Sequence, residues 1–127
     1  MMEHIVPESQ RPFYDAWHFS PAVIHDGIAF LSGVTGMEPD GTFAADAEAQ
    51  FTRLFDSITE VLTEAELGWD DVIEMTSWHT DMAELGVFHQ VRDRFVVEPW
   101  PAWTAIGCTG LATPDARAEV RIVARRP

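Results

Sequence analysis

The chain of 127 residues is 46% apolar, which suits a single globular domain with its own hydrophobic core. Its formal net charge is −13, from 21 acidic and 8 basic residues, and such a surface disfavours a nucleic-acid partner. All eight basic residues are arginines, which excludes Schiff-base chemistry on a lysine amine, and the single cysteine excludes an intrachain disulfide.

The N-terminal segment "MMEHIVPESQRPFYDAW" is acidic and is interrupted by Pro7 and Pro12. It lacks the basic start and apolar middle of a signal peptide, and the chain has no run of about 18 apolar residues that could cross a membrane. We therefore expect an irregular arm over residues 1–15, a single domain over residues 16–127, no membrane partner and a cytoplasmic location.

The next two segments predict a hairpin and a helix. "WHFSPAVIHDGIAFLSG" predicts two strands joined at Asp26-Gly27, because Asp-Gly between apolar runs favours the positive φ of a tight turn. "TGMEPDGTFAAD" is rich in turn formers and is predicted as a loop. Residues 45–66 then carry an apolar stripe at helical spacing, and Gly68 is expected to close this helix. The stripe comprises Phe51, Leu54, Phe55, Ile58, Val61 and Leu62.

The second half of the chain predicts a strand over 71–81, a helix over 82–96 and two final strands, "AWTAIGCTGL" and "ARAEVRIVAR". We expect the final strands to be antiparallel and linked by the turn "ATPD". The order ββαβαββ indicates an α+β domain of two layers, in which both helices cover one face of the sheet. Because the other face is also apolar, we expect a homo-oligomer with clefts between its subunits.

The histidines and the cysteine are the first candidates for chemistry. The five histidines form no His-x-x-x-His or His-x-Glu pattern, so the sequence indicates no metal site. His18 lies in the predicted strand "WHFSP", and His79 is expected as a hydrogen-bonded histidine at the rim of the sheet. Cys108 is either a nucleophile, which would need a base and an electropositive setting, or a small packed residue.

The last strand and the end of the second strand contain further candidates. Glu119 lies between Ala118 and Val120 and is either a solvated residue or an acid–base group in a cleft with a shifted pKa. Ser32 and Gly33 offer a hydroxyl and a backbone amide, although the pair could simply terminate the strand.

Several motifs in the same order and spacing resemble the Rid family, the reactive intermediate/imine deaminases that are also called YjgF proteins. They are "FLSGVTG", "AEAQFTRLFDSITEVLTEAEL", "DDVIEMTSWHTDM", "PAWTAIGCTGL" and "AEVRIVA", and they extend the resemblance from His18 to Arg126. It implies a chorismate-mutase-like (bacillus-type) fold, a mixed sheet, and a homotrimer with three clefts at the subunit interfaces. The best-known members hydrolyse enamines and imines to a keto acid and ammonia, without a metal or an organic cofactor.

The resemblance also implies roles for individual residues. The acid–base glutamate of the family, which positions the attacking water, aligns with Glu119. The serine that helps to hold the substrate aligns with Ser32. A tyrosine near the cleft aligns with Phe19, and a cleft asparagine aligns with His89.

The sequence departs from the family in the motif Pro101-Ala102-Trp103-Thr104, where deaminase members carry an arginine at the third position. Tryptophan has one N–H donor and no charge, so it cannot form the bidentate pair that holds a substrate carboxylate. Losing that pair should cost a few kcal/mol, which is about 10²-fold or more in recognition of an imine derived from an amino acid.

Three hypotheses follow from this departure. The first is a diverged hydrolase, in which Glu119 activates water and a neutral or aromatic substrate stacks on Trp103 and Phe19, with polar contacts from His18 or His89. The second is a non-catalytic trimer that binds a small ligand or acts as a regulator. In the third, the protein retains activity on 2-imino acids and holds their carboxylate by another residue. Arg121 is the only candidate, because it is the only basic group close to Glu119 on its strand.

Overall fold

The structure is a computed structural model that describes all residues, 1–127. It consists of seven strands and three helices, joined by loops and by three single 3-10 turns. The strands are β1 (Glu3–Ile5), β2 (Ala22–His25), β3 (Ile28–Leu31), β4 (Val34–Thr35), β5 (Val72–His79), β6 (Ala102–Gly107) and β7 (Ala118–Arg125). The helices are α1 (Arg11–Trp17), α2 (Ala47–Glu64) and α3 (Leu85–Arg92). None of these helices is long and apolar enough to cross a membrane.

The strands form one mixed sheet in the order β1-β2-β3-β7-β5-β6, and β4 also pairs with β7. All pairs are antiparallel except β5 and β6, which are parallel. The α+β class, the mixed sheet and the series ββαβαββ are therefore confirmed, with β1, α1 and β4 in addition. The final strands, however, are not neighbours, because β5 lies between β6 and β7. The reason is that α3 connects β5 to β6 as a crossover, which places β6 parallel to β5.

The predicted hairpin and the predicted long helix are both present. Asp26 and Gly27 have φ values of 51° and 75°, as a two-residue turn between β2 and β3 requires. In α2 the whole predicted apolar stripe is buried, and the Asp46 side chain accepts a hydrogen bond from the Ala49 N–H at 2.9 Å. The expectation that Gly68 closes α2 is wrong, because Glu66 takes the left-handed conformation (φ 61°) after the helix.

The N-terminal segment is more regular than the expected arm. β1 pairs with β2 at the edge of the sheet, and Ile5 joins the core. Pro12 lies in the first turn of α1, where its fixed φ favours a helix rather than breaking it. His18 is therefore not in a strand, since it ends α1 with a φ of 61°. The division of the chain at residue 15 stays a prediction.

The two faces of the sheet differ in what covers them. On β7, Ala118, Val120 and Ile122 are buried in the same core as the apolar stripe of α2, as the alternation predicts. The opposite face has no helix over it and exposes large apolar side chains, among them Phe30 on β3, which is 53% exposed, and Ile106 on β6. This bare face is the one towards which Glu119 and Arg121 project.

Candidate functional site

Glu119 occupies the middle of the sheet on the bare face. Its Cα pairs with that of Thr35 on one side and that of Trp78 on the other. The carboxylate is half-buried and has no hydrogen bond or ion pair within the chain. Burial raises the pKa of Glu119 above its ordinary value. An unpaired carboxylate with a raised pKa is a stronger base than an ordinary carboxylate and can accept a proton and return it.

Gly33 makes room for this carboxylate. A Cβ atom built at residue 33 would lie 2.9 Å from the Glu119 carboxyl carbon and 3.2 Å from its Cγ, so a larger residue would displace the side chain. Ser32 is held beside it, because its hydroxyl donates to the Ser20 carbonyl at 2.7 Å and its N–H donates to the Pro21 carbonyl at 2.9 Å. Ser32 thus keeps only its acceptor lone pairs for a ligand.

Phe19 and Trp78 are linked to this region through the backbone, because Phe19 precedes the Ser20 carbonyl that Ser32 contacts and Trp78 pairs with Glu119. Phe19 precedes Ser20, is partly exposed, and stacks on Phe13 with ring centroids 6.3 Å apart. Trp78 is absent from the candidates drawn from the sequence, although the strict alternation along "VIEMTSWHTD" places it opposite the buried Ser77 and His79. We call Glu119, Gly33, Ser32, Thr35 and Trp78 the Glu119 group.

Trp103 lies on the other face of the sheet, under α3. Its Cα pairs with that of Met75, a core residue that in turn pairs with Ile122. The indole N–H donates to the Ser77 hydroxyl at 2.9 Å. That hydroxyl is also 2.7 Å from Nε2 of His79. The single donor of Trp103 is therefore engaged inside the protein and does not point at a ligand.

His79 ends β5 and is hydrogen-bonded as expected, but it is buried rather than at an open rim. It is 1% exposed, and its ring contacts Phe88 edge-on with centroids 4.6 Å apart. Nδ1 has no partner. Burial lowers the pKa of His79 below its ordinary value, so the ring is neutral at pH 7.

Helix α3 covers Trp103 with a histidine and an arginine. The His89 ring is nearly parallel to the indole, at an angle of 4° and a centroid distance of 6.0 Å. The Arg92 guanidinium carbon lies 4.7 Å from the centre of the Trp103 ring and 5.9 Å from that of Trp100, which is 55% exposed. The sequence gives no indication that Arg92 lies beside Trp103, because only the crossover from β5 through α3 to β6 brings residues 92 and 103 together. We call the following residues the Trp103 group: Trp103, Ser77, His79, Phe88, His89 and Arg92.

The remaining candidates belong to neither group. Cys108 is half-buried, and its N–H and thiol lie 2.9 and 3.6 Å from the His79 carbonyl oxygen. The His18 ring has no hydrogen bond and is exposed at the end of α1. Arg121 shares the bare face with Glu119 but is half-exposed and lies 3.8 Å from Glu74. No group of three or more His, Cys, Asp or Glu side chains is arranged to hold a metal ion.

The structure therefore divides the predicted site residues between two faces of one sheet. Glu119 lies against Gly33 on the bare face, with Ser32 next to Gly33 in the chain, whereas Trp103 and His89 stack on the helix-covered face. Two broad concavities lie away from both groups, along α2, and are lined largely by acidic and hydroxyl side chains. Residues of both groups can line one cleft only where two copies of the chain meet.

Known proteins resemble the chain over almost its whole length. The family model described as "Endoribonuclease L-PSP" matches residues 9–126. The RutC family protein YjgH of Escherichia coli (strain K12) is 32% identical over 125 residues, which is 97% of this chain and 94% of that protein. A RutC family protein of Leuconostoc mesenteroides subsp. cremoris is 28% identical and covers 85% of this chain and 87% of its own.

Among solved structures, a protein YjgH superposes with a TM-score of 0.88 at 31% identity, over 98% of this chain and 96% of its own. Because this superposition covers nearly the whole chain, it includes the strands and the helix that carry the Glu119 group and the Trp103 group. The chain belongs to the Endoribonuclease L-PSP family, also called the YjgF or Rid family.

Proposed function

We propose that this protein is a hydrolase that deaminates a small enamine or imine to a carbonyl compound and ammonia, with Glu119 as the acid–base residue. The observation that supports this most strongly is the Glu119 carboxylate, which is half-buried, unpaired, raised in pKa and seated against Gly33. Structural carboxylates normally have a partner, so a carboxylate without one, next to a glycine, is suited to a reactive role.

In this reaction the Glu119 carboxylate takes a proton from water as the water oxygen attacks the imine carbon. The C=N π electrons move onto the nitrogen, which takes a proton from solvent, so the product is a neutral carbinolamine. The protonated carboxyl then returns its proton to the amine of the carbinolamine. Ammonia leaves with the C–N electron pair as the carbinolamine hydroxyl forms the C=O bond and releases its proton to solvent, so one imine and one water give one carbonyl compound and one ammonia.

The active assembly is proposed to be a homotrimer that covers the bare face of the sheet. Phe30 and Ile106 expose apolar area there that an isolated chain would leave in water. Contact between copies also offers the only way for the Glu119 group of one chain to approach the Trp103 group of another. RNA cleavage is not part of the proposal, because a chain with a net charge of −13 repels a polyanion.

The test generates imines in situ with amine or amino-acid oxidases and follows their decay in the presence of the purified protein. We expect faster decay of the neutral aromatic imine formed from benzylamine, and at least about 10²-fold less activity in Glu119→Gln. Glu74→Gln, at an exposed carboxylate on the same face, is the matched control and should retain activity. Full activity in Glu119→Gln would remove Glu119 from the mechanism, and saturable binding without turnover would favour the non-catalytic ligand-binding trimer.

A further inference from the structure

We propose that Arg92 anchors a ligand carboxylate beside Trp103, so that the site binds acids with a flat apolar body. The inference goes beyond the proposed function, because it adds acids with a flat apolar body to the neutral imines proposed as substrates, and it rests on that function only in assigning the bound acid to the same reaction. Arg92 also replaces Arg121 as the alternative residue that could hold a carboxylate. Arg121 is half-exposed, lies near Glu74 and projects from the bare face of the sheet, opposite to Trp103.

The guanidinium of Arg92 has donors to spare in a buried setting. The residue is 5% exposed, Nη1 donates to Asp93 Oδ1 at 3.1 Å, and Nε is buried without a partner. Nη2 has no hydrogen bond within the chain. Because arginine stays charged at every accessible pH, these N–H groups cannot lose their protons to relieve the mismatch. A buried donor without an acceptor, such as Nε, is rare, and Nη2, which also lacks a partner, suits an acceptor that the chain itself does not supply.

Arg53 has a guanidinium that ion pairing and solvent compensate better than that of Arg92. Its Nε is also buried without a partner, but Nη2 lies 3.3 and 3.4 Å from the two oxygens of Glu60, and the side chain is 21% exposed. Arg92 has only Asp93, whose second oxygen lies 3.6 Å from His89. The charge of Arg92 is thus less well compensated than that of Arg53.

The aromatic surroundings of Arg92 fix its position without using its donors. The rings of Trp103 and Trp100 lie 4.7 and 5.9 Å from its guanidinium carbon and contribute cation–π attraction. A planar carboxylate can accept two parallel N–H bonds from a guanidinium edge, and a flat apolar body can then stack on the exposed faces of Trp100 or His89. The overall charge of −13 repels acids at long range, so capture depends on such a local cation.

The test compares benzoate with its neutral analogue benzamide by calorimetric titration of the full chain. The wild-type protein should bind benzoate at least about tenfold more tightly, and Arg92→Gln should abolish that preference. The matched control is Arg94→Gln, an exposed arginine paired with Glu48 on the same part of the chain, and it should preserve the preference. Equal binding of both compounds by the wild-type protein, or an unchanged preference in Arg92→Gln, overturns the proposal.

If Arg92→Gln does not fold, Arg92→Lys decides the question. Lysine retains the charge but lacks the fork, so the benzoate preference should fall at least about threefold, and an unchanged preference contradicts the proposed geometry. Since the titration involves no turnover, a failure of the hydrolase proposal leaves its outcome intact. Conversely, imine hydrolysis that depends on Glu119 but shows no benzoate preference would refute the Arg92 anchor alone.

Discussion

The Glu119 group and the Trp103 group are built from neighbouring strands of one sheet, yet their polar atoms differ in whether they have hydrogen-bond partners within the chain. Glu119 is unpaired on a bare face and has a raised pKa. The Trp103 N–H and the Ser77 hydroxyl are engaged with each other and with His79, beneath α3. We therefore expect substitutions in the second group to affect mainly folding, and substitutions in the first to affect mainly activity.

The largest effect on folding should come from the aromatic centre of the Trp103 group. Phe88 is fully buried and contacts Phe51, Phe55 and His79 with ring centroids 4.6 to 5.3 Å apart. Phe88→Ala should lower the free energy of unfolding by about 3–5 kcal/mol, measured by urea denaturation. Trp17→Ala, at an exposed aromatic residue of α1, should change it by less than about 1 kcal/mol. A loss of less than about 1 kcal/mol in Phe88→Ala would show that the aromatic side chains of the Trp103 group are not a packed core.

The converse is expected at Gly33, where a small change should affect activity more than folding. The Cβ of Gly33→Ala would lie 2.9 Å from the Glu119 carboxyl carbon, so the flexible carboxylate must move away. Turnover of a hydrolysed imine should fall about 10²-fold, because a reacting group displaced by about 1 Å loses that much. Gly86→Ala, at a glycine with open space around it, is the control. Unchanged turnover would mean that the carboxylate position seen here is not the reactive one.

The hydroxyl of Ser77 tests the polar link within the Trp103 group. Ser77→Ala removes the acceptor of the Trp103 N–H and the partner of His79, which leaves buried polar atoms unpaired. The free energy of unfolding should fall by about 1–3 kcal/mol in urea denaturation. Ser57→Ala makes the same change at a buried residue whose hydroxyl has no hydrogen-bond partner within the chain but reaches solvent, and should cost less. Equal losses in the two variants would show that the link contributes nothing specific.

Local patterns predicted most of the fold and roughly half of the candidate site. The Asp26-Gly27 turn, the stripe of α2 and the alternation of β7 are properties of neighbouring residues, so the sequence displays them directly. The place of β6 is not local, since it follows from how α3 carries the chain across the sheet. For the same reason, no spacing rule could show that Arg92 lies against Trp103, or that Trp103 and Glu119 project from opposite faces.

The smallest and most discriminating difference lies in how the two groups respond to pH. Burial raises the pKa of Glu119, so the folded chain binds more protons there than the unfolded chain does. The contribution of Glu119 to stability therefore falls as pH rises from its unfolded pKa, about 4.3, through its raised folded value. Burial lowers the pKa of His79, so the unfolded chain binds more protons there, and stability falls as pH drops below about 6.5.

Glu119→Gln removes only the first of these effects. The variant should gain stability relative to the wild-type protein at pH 7 and lose most of that advantage by pH 4, below the unfolded pKa, where the wild-type carboxyl is mainly protonated in both states. It should still lose stability below pH 6.5, because His79 is untouched on the opposite face. Thermal unfolding from pH 4 to pH 8 measures both trends. A pH profile of Glu119→Gln that parallels the wild-type profile would mean that the Glu119 carboxylate is as well solvated as an ordinary surface group.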